Sequence, residues 1–226
     1  MASNFVGNFY IRNSTSTGKG VYFDVVGVTN STPLAQLAVI TWASGLNRVL
    51  ITNSFFKSAS FQIQITGSAT NVIDIFNSTV QIAGNASALG SPNQPVILTI
   101  RDSSFAYAGY NVFGGGDFTL GTIGSGTISN SSVVIDISRA GAALSMPTAL
   151  VWDSLSTLTI SNQSATGNIG GTPYYLTLNL PLTLNASLSA TNISLLSGKS
   201  LPTAGYQLTA STITNSGTIQ ASNSTI

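Results

Sequence analysis

The 226-residue sequence predicts an all-β fold, specifically a β-solenoid, from its composition and from an internal repeat. The chain has no Glu and only 7 Lys and Arg, whereas 33 Ser, 27 Thr and 19 Asn stand among many β-branched residues. This composition favours strands and turns over helices. Segments of the form apolar-x-Ile-x-Asn-Ser-x-apolar also recur along the chain. Recurrence at about 20 to 30 residues is typical of a solenoid, in which each turn stacks on the next.

Alternation of apolar and polar residues predicts the individual strands. One example is the stretch from Phe61 to Ile65, in which Phe61, Ile63 and Ile65 alternate with polar residues. The longest alternation runs over residues 176–188 and places Leu at nearly every second position. Only residues 34–46 and the Ala-rich residues 140–144 are candidates for short helices.

Each repeat contains one polar pivot, at which we expect the chain to turn a corner. Seven of the nine pivots have Ile two positions earlier, which predicts an inward stack of Ile side chains. Asn suits such a corner because it tolerates the left-handed conformation and can bond to the Asn of neighbouring turns. The nine pivots are Asn13, Asn30, Asn53, Asn77, Asp102, Asn130, Asn162, Asn192 and Asn215.

Two stretches resemble known solenoid repeats. Residues 60–84, SFQIQITGSATNVIDIFNSTVQIAG, resemble a turn of the right-handed parallel β-helix of pectin-lyase-like proteins. The C-terminal residues 213–226, ITNSGTIQASNSTI, are similar to repeats of β-solenoid adhesins. The resemblance is best over residues 47–105, and it implies a single solenoid over residues 1–226.

A β-sandwich, made of one or two tandem jelly rolls, is the alternative fold. All ten Phe residues lie within residues 1–118, so the composition changes at that point. The Gly-rich residues 114–126 lie at the change and are typical of a linker. On this alternative the chain has two β domains, residues 1–118 and 127–226.

The residue inventory argues against an enzyme. Without His or Cys the chain lacks the usual nucleophile–base pairs and the usual zinc ligands. Carboxylate catalysis would depend on Asp alone, and for a glycan lyase or hydrolase the residues to test are Asp74 and Asp102. We predict no catalytic residue, no metal and no cofactor. The six carboxylates are Asp24, Asp74, Asp102, Asp117, Asp136 and Asp153.

Possible contacts with sugars come from aromatic residues and from glycosylation sequons. Trp42, Trp152 and the pair Tyr174–Tyr175 are candidates for stacking on sugar rings. Asn-x-Ser/Thr sequons make nine Asn residues candidates for glycosylation. They are Asn13, Asn30, Asn77, Asn85, Asn130, Asn162, Asn185, Asn192 and Asn223.

Charge is nearly absent from the last third of the chain, where Lys199 is the only charged side chain in residues 154–226. Such a surface is poorly protected against association, so we expect a structural protein that forms homo-oligomers and contacts other structural subunits, and also glycans. We expect neither nucleic-acid binding, since no basic run exists, nor membrane insertion or a targeting segment. The expected location is a virion or an extracellular surface, possible sources being a thermoacidophilic archaeon or its virus. The alternative is a carbohydrate-binding adhesin or receptor-binding module.

Overall fold

The computed structural model describes residues 8–13, 22–26, 36–41, 47–58, 61–65, 71–84, 88–89, 96–109, 118–119, 123–137, 140–146 and 148–222. Within these ranges the chain forms strands and no helix. The first twelve strands are β1 (Asn8–Asn13), β2 (Tyr22–Val26), β3 (Gln36–Thr41), β4 (Asn47–Thr52), β5 (Phe55–Ser58), β6 (Phe61–Ile65), β7 (Asn71–Phe76), β8 (Thr79–Gly84), β9 (Ala88–Leu89), β10 (Val96–Arg101), β11 (Ser104–Gly109) and β12 (Phe118–Thr119). The next twelve are β13 (Ile123–Ser129), β14 (Ser132–Ile137), β15 (Ala142–Ser145), β16 (Leu150–Trp152), β17 (Thr157–Asn162), β18 (Ala165–Asn168), β19 (Tyr175–Asn179), β20 (Leu182–Leu184), β21 (Leu188–Leu195), β22 (Ser200–Pro202), β23 (Leu208–Asn215) and β24 (Thr218–Gln220).

Successive strands belong to different sheets, so the chain winds as a coil, and every strand pair in the described ranges is parallel. A six-stranded sheet contains β2, β4, β7, β10, β13 and β16 in that order, and an eight-stranded sheet contains β5, β8, β11, β14, β17, β19, β21 and β23. Two four-stranded sheets (β1-β3-β6-β9 and β12-β15-β18-β20) and the pair β22-β24 form the remaining sides of the coil. We call the sheets the walls of the coil. The predicted parallel β-solenoid is confirmed.

The core is a stack of apolar side chains inside the coil. In the six-stranded sheet, Ile51 pairs with Ile75, Ile75 with Ile100, and Ile100 with Ile128. All four side chains are at most 2 % exposed, which confirms the predicted Ile stack at these pivots. Burial of each such side chain contributes about 1.5–3 kcal/mol.

The alternating run over residues 176–188 is divided between walls of the coil and is not one long strand. Leu176 and Leu178 face inward from β19, the chain then turns at Leu180 and Pro181, and Leu182 and Leu184 face inward from β20. The alternation continues through the corner because the interior stays on the same side of the chain as it turns.

The turns of the coil shorten towards the C-terminus. Four successive hydrogen bonds at one corner join residues 24, 25, 28 and 25 positions apart, whereas Asn192 bonds to Tyr174, only 18 positions earlier. The six-stranded sheet ends at β16, and β21 and β23 lengthen to eight residues each. In β21 every second residue is buried up to Ala190, and the next buried residue is Ile193, three positions later. This strand therefore contributes to two walls of the coil.

Two alternatives from the sequence are wrong, the β-sandwich and the short helices. A β-sandwich requires antiparallel sheets, which the parallel pairing contradicts. Residues 34–46 contain β3, and the turn at residues 140–141 leads into β15, because pairing with neighbouring turns overrides local helix propensity. Residues 123–126 of the predicted linker begin β13, which pairs with β10, and residues 118–119 form β12; the rest of the linker lies outside the described residues.

Candidate functional site

The most regular polar feature is the corner at which the chain leaves the six-stranded sheet for the eight-stranded sheet; we call it the Asn-Ser corner. Asn53, Asn77, Asp102 and Asn130 occupy it in four successive turns, with φ angles of 50°, 44°, 50° and 43°. Asn and Asp adopt this left-handed conformation more readily than other residues with a side chain. Four predicted pivots are therefore confirmed as corner residues.

Side-chain amides join these turns on the outside of the corner. Nδ2 of Asn77 donates to Oδ1 of Asn53 at 2.7 Å, and Nδ2 of Asn130 donates to Oδ1 of Asp102 at 2.8 Å. A carboxylate has no N–H, so Asp102 cannot donate to Asn77 in the same way. The amide ladder is thus interrupted between the second and third turns.

A second ladder of Ser residues lies just inside the first. The backbone N–H of Ser54 donates to Oγ of Ser78, Ser78 N–H to Oγ of Ser103, and Ser103 N–H to Oγ of Ser131, each at 3.1 Å. The hydroxyls in turn donate to the carbonyl oxygen two residues earlier, at 2.6 to 2.8 Å. All four Ser residues are buried. Sequence reasoning gave them no role, although a Ser follows each of these pivots.

The Ser ladder ends at Ser156 in the fifth turn, where Asp153 accepts the hydrogen bond of the Ser hydroxyl. Its Oδ1 accepts from Ser156 Oγ at 2.6 Å and from Leu155 N–H at 3.1 Å. Its Oδ2 accepts from Asn130 N–H at 2.9 Å, and Ser131 N–H donates to Ser156 Oγ at 3.2 Å. Burial disfavours the charged form, but the hydrogen bonds, that from Ser156 Oγ foremost, outweigh it and lower the pKa of Asp153 below its ordinary value.

Four other predicted pivots lie elsewhere in the coil. Asn162 has a φ of 85°, but it is the last residue of β17 in the eight-stranded sheet, so it occupies a different corner from the ladder. Asn192 lies within β21, and Asn215 and Asn13 are the last residues of β23 and β1. The motif did not distinguish corners because Ile and Asn recur at both. Asn30 lies outside the described residues.

Two adjoining open concavities of about 400 and 410 Å³ run along the Asn-Ser corner, and Asp102 lines both. Their walls combine the corner side chains with outward residues that carry hydroxyls. These outward residues are Thr79, Ser104, Ser132 and Thr157. Leu155, which is 67 % exposed, adds an apolar surface at one end. We call this feature the corner groove.

The predicted carboxylates are divided between separate environments. Asp74 is buried in β7 and accepts from Nε of Arg48 at 2.8 Å, whereas Asp102 is exposed and lies 3.6 Å from Nε of Arg101. The described residues contain no group of three or more potential metal-ligating residues. Asp24 and Asp136 lie in β2 and β14, and Asp117 lies outside the described residues.

The aromatic candidates differ in exposure. Tyr175 projects from the eight-stranded sheet with 46 % of its surface exposed, and its ring meets that of Tyr174 edge to face at 4.9 Å between centroids. Trp152 is partly buried against the core, and its Nε1 has no acceptor among the described residues. Trp42 lies outside those residues.

The sequons also fall into different environments. Asn77, Asn130 and Asn192 use Nδ2, the atom that a glycan would modify, to donate hydrogen bonds to the protein. Asn162 and Asn185 are exposed, and no acceptor for their Nδ2 occurs in the described part of the chain. Asn13 ends β1, and three sequons lie outside the described residues: Asn30, Asn85 and Asn223.

The fold and the corner define the chain as a parallel β-solenoid protein with an exposed Asn/Asp ladder and a buried Ser ladder at one corner. Comparisons with protein-family models, curated proteins and solved structures find no match. Among the described residues, no helix has the length and hydropathy needed to cross a membrane. Function therefore has to be inferred from the chain's own residues.

Proposed function

We propose that this protein is a non-enzymatic structural subunit that assembles with copies of itself, and with other structural subunits, on the exterior of a virion or of a cell. Assembly proceeds through uncharged faces and strand edges. The observation that carries this proposal is the nearly uncharged surface of the C-terminal turns.

That surface is large and chemically uniform. From Ser154 to Ser222 the described chain presents Ser, Thr and Asn outward, and Lys199 is its only charged side chain. Apolar residues are exposed among them, notably Leu155, Tyr175 and Tyr206 at 67 %, 46 % and 41 %. Interspersed charge normally keeps a free surface from associating, so this surface suits contact with other subunits.

The solenoid also suits a mechanical role. Each turn bonds to the next through parallel strands and through the Asn-Ser corner, so load on one turn is shared with its neighbours. An exterior location agrees with the absence of Cys, which leaves no thiol to oxidise. It also agrees with exposed sequons at Asn162 and Asn185, which a glycosylating pathway would modify.

Native mass spectrometry, combined with intact mass, tests the proposal on protein from its natural source. We expect a defined multimer of the 23.2-kDa chain. Additional mass in hexose-sized steps would support a glycosylated exterior, and bare subunits would support a virion assembled inside a cell. A strictly monomeric, unmodified chain at high concentration would overturn the structural assignment.

The corner groove favours a second candidate, the binding of an uncharged glycan. Its amides and hydroxyls are the groups that hydrogen-bond to sugar hydroxyls, and Leu155 offers an apolar surface to a ring. Calorimetry with neutral oligosaccharides tests this candidate. We expect Leu155→Ala to weaken binding by about tenfold, whereas Val151→Ala, an equally exposed site outside the groove lining, leaves it unchanged. Equal effects of the two substitutions would contradict binding in the groove.

A further inference from the structure

The last strand of the eight-stranded sheet has an edge to which no described strand is paired. β23 pairs through one edge with β21, and among the described residues its other edge has no strand partner. Its sequence, LTASTITN, contains no charge and no Pro, two of the features that protect an edge strand. A long, uncharged edge of this kind is a template for another strand.

The exposure of β23 follows a nearly palindromic pattern. Two exposed residues, Ser211 and Thr212, stand at its centre, and the partly buried Ala210 and Ile213 lie on either side of them. The phase change that β23 shares with β21 produces this arrangement. Reversing the strand therefore places partly buried residues opposite partly buried residues.

We propose that two copies of this chain associate through β23 as an antiparallel, two-fold symmetric pair centred between Ser211 and Thr212. Ala210 of one copy lies opposite Ile213 of the other, and Thr209 lies opposite Thr214. The inward apolar residues thus continue the core across the interface, and the outward hydroxyls continue one polar face. This inference rests on the proposed function and specifies the surface through which assembly begins.

A second copy in the same orientation fits this edge less well. Head-to-tail stacking would place β23 against β5, the first strand of the same sheet. β5 has only four residues, whereas β23 has eight, so half of the edge would stay unpaired. Two-fold pairing matches the exposure pattern over the six residues from Thr209 to Thr214, with only the buried Leu208 opposite the exposed Asn215, and it closes after two copies.

A charged substitution at the centre of the proposed pair tests whether β23 forms the interface. In Thr212→Lys two like charges approach across the two-fold axis, and we expect dimerisation to weaken by about tenfold or more in sedimentation equilibrium. Thr127→Lys is the matched control, because it adds the same charge at an exposed Thr of β13, far from β23 in the strand order. It should dimerise like the unmodified chain.

Disulfide trapping tests the register, and the lack of native Cys leaves no background. Opposite residues of an antiparallel pair lie about 4.5–5.5 Å apart at Cα, within the range for a disulfide. We expect an equal mixture of Thr209→Cys and Thr214→Cys chains to form covalent dimers under mild oxidation, and each variant alone to form none.

The outcomes separate the two proposals. A chain that stays monomeric overturns the proposed function and this inference together. A multimer that is insensitive to Thr212→Lys, or that is not trapped by the Cys mixture, overturns the β23 interface and leaves structural assembly standing. Selective loss with Thr212→Lys, together with trapping of the mixture alone, supports both.

Discussion

Removing one hydroxyl from the Ser ladder should destabilise the whole solenoid by a predictable amount. In Ser103→Ala the backbone N–H of Ser78 loses the Oγ to which it donates at 3.1 Å. The carbonyl of Arg101, which accepts from Ser103 Oγ, keeps a second donor in the N–H of Asn77. The loss is therefore chiefly one unsatisfied buried donor, which costs about 1–3 kcal/mol.

Urea unfolding followed by circular dichroism measures this loss. We expect the free energy of unfolding to fall by about 2 kcal/mol at an unchanged m-value, and the melting temperature to fall by about 4–8 °C. Ser104→Ala is the matched control, because Ser104 is exposed and points outward, and it should change stability by less than about 0.5 kcal/mol. Hydrogen exchange at the Ser78 amide should accelerate in Ser103→Ala alone. Equal stabilities of the two variants would refute the structural role of the ladder.

Three further predictions concern the same corner and the core beside it. Asp102→Asn should raise the free energy of unfolding by about 0.5–1.5 kcal/mol, because the new amide can donate to Asn77 and restore the ladder. Unchanged or reduced stability in urea unfolding would contradict this prediction. The lowered pKa of Asp153 stabilises the fold above the unfolded-state value of 3.8, and this contribution is lost as the pH falls through the lower folded-state value. The melting temperature should therefore depend less on pH in Asp153→Asn than in the unmodified chain between about pH 6 and about pH 2. Identical pH profiles of the two chains would contradict a stabilising role for the ionised Asp153. Gly126→Ala should destabilise the chain by about 1–3 kcal/mol in urea, because its Cβ would clash with the carbonyl oxygen of Leu98; stability like that of the unmodified chain would contradict this packing.

The sequence predicted the all-β class, the solenoid, the inward Ile stack and four of the corner residues, because each depends on a pattern that repeats in register. Ile at the second position before the pivot faces inward in every such turn, so alternation alone determines its burial. The polar pivot is likewise specified locally, since few residues tolerate its positive φ.

The sequence did not predict the features that depend on which wall of the coil a motif occupies. Asn162 carries the same motif as Asn130 but turns a different corner, and only the strand pairing distinguishes them. Asp153 was missed because it replaces the corner Asn in a wider turn, where the Ser comes three residues later. The alternation predicts one strand through Leu180, although the chain turns there, because inward and outward residues keep alternating around the bend.

The Asn-Ser corner also has a consequence for the chemical lifetime of the protein. Asn followed by a small residue deamidates when the backbone nitrogen of that residue attacks the side-chain carbonyl, and Asn is accordingly among the thermolabile residues. Here the nitrogens of Ser54, Ser78 and Ser131 are held by the hydroxyl of the next turn. The amides of Asn77 and Asn130 are held as well. The contacts that join the turns therefore also restrain the cyclisation by which such asparagines age.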